Sequence, residues 1–297
     1  MKTYQTWTAA ALIVLMSASA SVMAAYVMCG SPVPAPDKAG FHPFDGPKPI
    51  LVFMQSDPWL MVVGSDTPRV AVYENGEVIF AKKVNKRLVY HQVVLQKDGL
   101  AELQERFKPV FSLKALLPAY NIRPNVTDQP EAKFYFRRED SQVTTRVYGL
   151  MAAETELPAY TTFPDGPQPT VPPKELLDLH KWLCAIDFPN SVEWTPKYVE
   201  VMFWDYSYAP APSIYWPKDW PTLDSDRVIK HGDIYSLFLD GSLLPRLREF
   251  LVGQKEKGAV ELGGKKWAVA YRSAFPSEPL WRKAFAEAGK RPARKDG

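Results

Sequence analysis

Four side chains capable of acid and base chemistry lie within ten residues of one another in the second half of the sequence: Asp224, Asp226, His231 and Asp233. Two carboxylates spaced by one residue can share a hard cation such as Mg²⁺ or Ca²⁺, and a neighbouring imidazole can act as a general base near neutral pH. Aspartates in a loop before a strand also form turns by accepting backbone N–H bonds, so this spacing occurs without any site. The cluster predicts a hydrolase centre only if the fold brings the four side chains together.

Aromatic residues are concentrated between positions 194 and 221, where nine occur in 28 residues. Five of them lie in a proline-rich stretch and are the ligand-binding residues that the sequence predicts: Tyr206, Tyr208, Tyr215, Trp216 and Trp220. Because proline is excluded from inner strands, the stretch favours a loop, and exposed rings on a loop can bind glycans or peptides. The alternative is that the rings pack over a sheet as part of the core, where large aromatic side chains most often lie.

His180 and Cys184 are four residues apart and would share one face of a helix, as two ligands of a transition metal do. No second His/Cys pair is close in sequence, since His42 and His91 are isolated, and we therefore predict no metal site. The sequence also has no G-x-S-x-G, H-E-x-x-H, P-loop or G-x-G-x-x-G pattern, so no cofactor is predicted. These absences disfavour an enzyme, although catalytic groups can meet in space without a motif.

The N-terminal segment predicts where the protein acts. The first 36 residues have a single charge, Lys2, followed by an apolar run and by small residues that end in Val22-Met23-Ala24. A positive start, an apolar centre and a small residue at the cleavage position are the three parts of a secretory signal peptide. We therefore predict a signal peptide at 1–24 and a mature chain, beginning at Ala25, that is periplasmic or secreted.

Two other fates of this segment are open. Trp7 to Met28 is a run of 22 residues without a charge, long enough for a membrane anchor, but the serines within it favour cleavage. Lipid attachment at Cys29 is disfavoured because bacterial lipoprotein signals have a small residue before the cysteine and Met28 is not small. Membrane contact is therefore expected only through the N-terminal segment, and only if it is uncleaved.

The chain has two cysteines, which allow one disulfide, Cys29 to Cys184. Export favours the bond because oxidising compartments preserve disulfides, and closing so long a loop would stabilise the fold by up to ~5 kcal/mol in the chain-entropy model. The alternative is two unpaired thiols, with Cys184 packed as a small apolar residue on a helix.

The net charge of +3 comes from the two ends of the chain. The last eight residues have a charge of +3, and subtracting this tail and Lys2 leaves the body at −1. A nucleic-acid groove needs lysines and arginines clustered on the folded body, so no nucleic-acid partner is predicted.

Two proline-rich stretches divide the mature chain. Six prolines lie between residues 30 and 49, and six more between residues 157 and 173. Because proline removes a backbone donor and fixes φ, we expect a surface strap and an interdomain linker. The predicted organisation is a signal peptide, strap, first half, linker, second half and basic disordered tail, at 1–24, 25–49, 50–156, 157–173, 174–288 and 289–297.

The strand and turn patterns predict an α+β fold with mainly antiparallel hairpins and a few packed helices. Asn75-Gly76 predicts a two-residue hairpin turn with Tyr73 opposite Val78, and Gly263-Gly264 predicts one with Glu261 opposite Lys266. The order strand, helix, hairpin occurs in both halves, which suggests two related halves; generic helix periodicity also produces such a pattern.

The sequence therefore predicts an exported binding or interaction protein that recognises an envelope protein or a glycan through the aromatic, proline-rich loop at 206–220. The first alternative is an exported hydrolase that uses the Asp/His cluster at 224–233. The second is a structural envelope component without a ligand.

Overall fold

The computed structural model describes residues 41–58, 67–84, 87–113, 116–139, 141–151 and 167–290 of the 297-residue chain. The strands of the first sheet are β1 (Pro49–Ser56), β2 (Val70–Tyr73), β3 (Glu77–Val84), β4 (Arg87–Val94), β5 (Ala119–Asn121), β6 (Glu131–Arg138), β7 (Ser141–Tyr148) and β8 (Val192–Glu193). The strands of the second sheet are β9 (Tyr198–Asp205), β10 (Ala211–Tyr215), β11 (Val228–His231), β12 (Ile234–Asp240), β13 (Gly258–Leu262) and β14 (Lys265–Ser273). The helices are α1 (Lys97–Phe111), α2 (Lys174–Cys184), α3 (Leu244–Val252), which follows a 3-10 turn at Gly241–Leu243, and α4 (Glu278–Lys290).

The strand order is β5-β7-β6-β1-β2-β3-β4-β8 in the first sheet and β10-β13-β14-β9-β12-β11 in the second. All neighbouring strands are antiparallel except β5 with β7 and β10 with β13. Helices packed on mostly antiparallel sheets confirm the predicted α+β fold. The described residues all belong to one compact unit, Val33–Gly297.

Both faces of the first sheet are covered, and β1 shows why its sequence is a continuous apolar run. Leu51 and Phe53 point into the core beneath α1 and α2, whereas Val52 and Met54 point into a second core beneath α4. Side chains alternate between faces along a strand, so a strand buried on both sides needs apolar residues at every position.

The second sheet is packed differently on its two faces. Val199, Val201 and Phe203 of β9 point into a core that α3 covers. On the opposite face Phe41 and Phe44 pack against Phe238, with ring centroids 5.7 and 5.6 Å apart. The described end of the predicted strap, residues 41–49, thus lies over the second sheet before it enters β1.

The two predicted hairpins are present, and one has the register that was predicted. In the Gly263-Gly264 hairpin Glu261 pairs with Lys266, as expected for a two-residue turn with positive φ at both glycines. The prediction that Tyr73 lies opposite Val78 is wrong by one residue, because Val72 occupies that place. The loop has three residues, and only Gly76, with φ +87°, is left-handed.

The strand, helix and hairpin order is present in both halves, but the hairpins join their sheets differently. In the first sheet the central strand β1 pairs with β6, the first strand of its hairpin. In the second sheet β9 pairs with β14, the second strand. The two halves thus share the strand, helix and hairpin order, apart from the extra strand β5 in the first half, and they differ in hairpin placement.

The α2 helix follows the predicted linker in sequence, yet it packs with the first sheet. Its Leu176, Leu179 and Leu183 lie in the core that α1 also covers, and the short strand β8 pairs with β4 of the same sheet. The chain therefore crosses from the first sheet to the second after β8. Residues 157–166 of the predicted linker lie outside the described residues.

The predicted signal peptide and most of the strap and basic tail lie outside the described residues. Of the tail, Gly289 and Lys290 belong to α4, so this helix extends into the region predicted to be disordered. None of the helices in the described ranges has the length and apolar character needed to cross a membrane.

Candidate functional site

Two of the five predicted ligand-binding aromatics are core residues. Trp216 and Trp220 are 5% and 4% exposed and lie in the core beneath α3, with ring centroids 5.0 Å apart. The indole Nε1 of Trp216 donates to the Pro221 carbonyl at 3.0 Å, and both rings contact Phe250 edge-on. Burial of these large apolar rings against α3 stabilises the fold. Neither indole is therefore open to a ligand.

The three predicted tyrosines remain accessible. Tyr208 and Tyr215 are 69% and 74% exposed, and the ring of the half-buried Tyr206 lies edge-on to that of Tyr208 at 5.0 Å. The predicted recognition loop is in part a strand, since Tyr215 ends β10 at one edge of the second sheet. Its prolines are tolerated because an edge strand has backbone groups that need no partner on one side.

The strand registers place two of these tyrosines in one row across the second sheet. Tyr206 continues the β9 ladder by donating its N–H to the carbonyl of Lys266, Lys266 pairs with Glu261, and Glu261 pairs with Tyr215. Residues paired across neighbouring strands project to the same side. The row spans three strand spacings, about 14 Å.

This row lies on the face of the sheet opposite α3. Phe203 and Trp267 point toward α3, so their neighbours Trp204 and Lys266 point away from it. In the next row Trp204 pairs with Ala268, and both are half-buried. We call this surface the tyrosine face; its residues are Trp204, Tyr206, Tyr208, Tyr215, Glu261, Lys266 and Ala268.

The four residues of the predicted acid-base centre are not brought together. Asp224 and Asp226 precede β11, whereas His231 ends it and Asp233 lies in the turn beyond, so a strand of four residues, roughly 10 Å long, separates the pairs. Ser225 accepts the N–H of Arg227 at 3.2 Å and donates to Asp226 at 3.2 Å, as turn-forming residues do. No group of three metal-ligating side chains occurs in the described ranges.

His231 belongs to a different environment. Burial lowers its pKa, and the charged groups that act on it are Glu200, which raises the pKa, and Arg282, which lowers it. The three aspartates of the predicted cluster are exposed. A general base needs its partner within hydrogen-bond reach, and this separation does not supply one.

A buried ionic cluster that the sequence did not predict lies between the second sheet and α4. Arg272 of β14 contacts Glu278 of α4 through Nη1 and Oε1 at 2.6 Å, and it also pairs with Glu200 of β9. Arg282, one turn further along α4, pairs with Glu278. Ser236 donates to Glu200 at 2.6 Å. The spacing of Glu278 and Arg282 was the one signal available, because residues four apart face each other on a helix.

The ionic cluster is a buried structural network. Burial by itself would raise the pKa of Glu278, but the charges of Arg272 and Arg282 and their hydrogen bonds outweigh it and hold the pKa below its ordinary value. Glu278 is fully buried and its Oε2 also accepts the backbone N–H of Phe275 at 3.3 Å. Charges buried in this way need paired partners, and here they have them.

The buried His180 and the half-buried Cys184 lie next to each other beneath the first sheet. The Nε2 of His180 lies 3.3 Å from Gln55 Oε1 and 3.5 Å from Cys184 Sγ, and its ring packs edge-on against Phe53. Burial lowers the pKa of His180 to about 4 and raises the pKa of Cys184 to about 11. With its pKa raised in this way, the Cys184 thiol stays protonated near neutral pH and offers no thiolate nucleophile.

Cys184 has no disulfide partner among the described residues. Cys29 lies outside them, so the Cys29 to Cys184 disulfide stays a prediction.

The tyrosine face is thus the part of the predicted aromatic surface that remains open in the fold. Its rings are placed by the end of β9 and by the edge strand β10, with one acidic and one basic side chain between them. Comparison of the chain with protein-family models, with curated proteins and with solved structures gives no match.

Proposed function

We propose that this chain is an exported binding protein whose ligand lies on the tyrosine face. The observation that carries the proposal is the exposure of Tyr208 and Tyr215, at 69% and 74%, on a sheet whose other large aromatics are buried or half-buried. Tyrosine is a common recognition residue because its ring offers apolar area at low entropic cost and its hydroxyl keeps a polar handle. Export rests on the N-terminal pattern of Lys2, the apolar run and Ala24.

The surface favours a glycan over an envelope protein. The rings present flat apolar faces, and Lys266 and Glu261 lie between Tyr206 and Tyr215 as a donor and an acceptor for hydroxyl groups. The row follows the sheet surface for about 14 Å, which suits an extended polymer rather than a small molecule enclosed in a cavity.

The hydrolase alternative has no assembled centre to support it, because β11 separates Asp224 and Asp226 from His231 and Asp233. The structural envelope component remains the alternative that a binding experiment addresses directly. Both alternatives predict that removal of the Tyr208 and Tyr215 rings leaves the affinity for an envelope glycan unchanged.

The test is sedimentation of the mature protein, residues 25–297, with insoluble glycan from the cell envelope. Replacing Tyr208 and Tyr215 together with Ala should weaken binding roughly 30-fold, for two ring contacts of about 1 kcal/mol each. The double Phe variant keeps both rings and should lose much less. Val252→Ala on α3, where the valine is 83% exposed, is the matched control for removal of an exposed apolar side chain.

Equal sedimentation of the wild type and the double Ala variant would overturn the proposal. Capture of an envelope protein that is lost in the double Ala variant, with no glycan binding, would instead assign the same face to a protein partner.

A further inference from the structure

A groove runs between α1 and α2 on the outer side of the first sheet. It consists of two cavities of about 370 and 330 Å³, and Arg106 and Trp182 line both of them. The guanidinium carbon of Arg106 lies 5.4 Å from the centroid of the Trp182 ring, so this one side chain crosses the groove and divides it. Leu103, Leu179 and Ile186 supply apolar walls.

The rim of the groove is acidic. Five carboxylates line the two cavities: Glu102, Glu105, Glu175, Asp178 and Asp187. Arg106 is the one basic side chain among the described lining residues, and its Nη2 lies 3.9 Å from Glu102.

Three of the carboxylates have lysine partners that stand outside the groove. Lys82 pairs with Asp187 and Lys108 with Glu105, each at 2.8 Å, and Lys174 pairs with Asp178. All of these groups are at least one third exposed. Such exposed pairs are weak and exchange readily, so they leave the carboxylates available to a cation that is also held by apolar contact.

Arg106 itself shows which chemistry the groove accepts, since its guanidinium lies over an indole and beside a carboxylate. We propose that the groove binds an arginine-bearing segment of a partner protein, whose guanidinium takes the place of Arg106 on Trp182. The neighbouring cavity then holds an apolar side chain of the same segment. Arginine fits better than lysine because a planar guanidinium stacks on an aromatic ring and makes bidentate hydrogen bonds to carboxylates.

The groove lies on the first sheet and the tyrosine face on the second, so this inference does not rest on the proposed function. Each cavity is at the small end of ligand sites, which suits single side chains of a peptide laid along the two helices.

The experiment is calorimetric titration of the mature protein with the capped octapeptide Ala-Arg-Leu-Ala-Ala-Leu-Arg-Ala and with its analogue in which both arginines are lysines. The arginine peptide should bind at least about fivefold tighter than the lysine peptide, and added salt should weaken it. Equal affinity for the two peptides, or no binding of the arginine peptide, would overturn the proposal.

Variants test the geometry. Arg106→Ala removes the side chain that occupies the ring, and it should tighten binding of the arginine peptide about threefold or more; weaker binding would contradict the proposal. Trp182→Ala and the pair Glu102→Gln with Asp178→Asn should each weaken binding about tenfold. The double variant Glu102→Gln with Asp178→Asn keeps the test decisive if Trp182→Ala fails to fold. Glu287→Gln on α4 is the control for loss of an exposed carboxylate outside the groove.

Discussion

At the scale of single residues, His180 has an environment that changes its acid-base behaviour. Its side chain is 1% exposed between Phe53 and Phe134, and burial lowers its pKa from the ordinary 6.5 to about 4. Between these two pH values the unfolded chain binds a proton that the folded chain does not. Stability therefore rises with pH across this window and is lost as the pH falls through it.

We expect the wild-type protein to lose about 3 kcal/mol of unfolding free energy from this one histidine between pH 6.5 and 4. The variant His180→Gln cannot titrate and keeps a polar group near Gln55. Urea unfolding at a series of pH values measures the difference: the wild-type curve should fall more steeply than the variant curve within that window only. Parallel curves would show that the imidazole is not buried as described.

The aromatic residues show how far sequence analysis reaches at this scale. Composition identified Tyr206, Tyr208, Tyr215, Trp216 and Trp220 as one set, yet the fold divides them between surface and core. Trp216 and Trp220 face α3, and Tyr215 lies one position away on the opposite side of the sheet. Which side of a strand is covered depends on a helix about thirty residues further along the chain, and local periodicity cannot supply that information.

At the scale of elements, the two glycine hairpins share a sequence signal and differ in geometry. Gly263 and Gly264 both have positive φ, at +61° and +72°, and form the predicted two-residue turn. At the other hairpin only Gly76 is left-handed, and Gly76 donates its N–H to Tyr73 at 3.1 Å to close a three-residue loop. Asn-Gly thus predicted the hairpin, while the extra residue changed the register by one.

Substitution of Gly264 and Gly76 by alanine should separate the cost of a left-handed backbone from the cost of a steric clash. A Cβ at Gly76 would lie 2.3 Å from the carbonyl oxygen of Leu95, whereas a Cβ at Gly264 would have no heavy atom within 4 Å. Gly264→Ala therefore adds only the cost of a left-handed alanine, about 1 kcal/mol. Gly76→Ala adds a backbone clash to that cost and should lose about 3 kcal/mol. Chemical unfolding measures both, and equal losses would rule out the close contact with Leu95.

The proline-rich segment at 206–220 shows that secondary structure at a sheet edge is hard to predict from sequence. The stretch at 206–220 was expected to be a loop, but β10 forms there as an edge strand with Pro212 inside it. Sequence alone cannot tell an edge strand from a loop, because both leave backbone groups free on one side. The helix α4 was not predicted from the sequence. Its apolar residues pack against the first sheet, whereas its charged residue Glu278 pairs with an arginine of the second sheet.

At the scale of the whole molecule, α4 joins the two sheets. Its Trp281 and Ala284 lie in the core against the first sheet, and its Glu278 and Arg282 belong to the ionic cluster on the second. Each sheet thus buries part of one face beneath this C-terminal helix. We infer that the sheets unfold together and not as two independent domains.

Glu278→Gln tests that inference, because it removes the carboxylate that holds both buried arginines. Leaving Arg272 and Arg282 without this charge should cost about 3–5 kcal/mol of unfolding free energy. Glu287→Gln, at an exposed position of the same helix, should change it by less than about 0.5 kcal/mol. If α4 couples the sheets, the tryptophan fluorescence and the far-ultraviolet circular dichroism of Glu278→Gln should move to lower urea in one coincident transition. Two separated transitions in the wild-type protein, of which only one responds to the substitution, would show that the sheets are independent and that α4 only covers them.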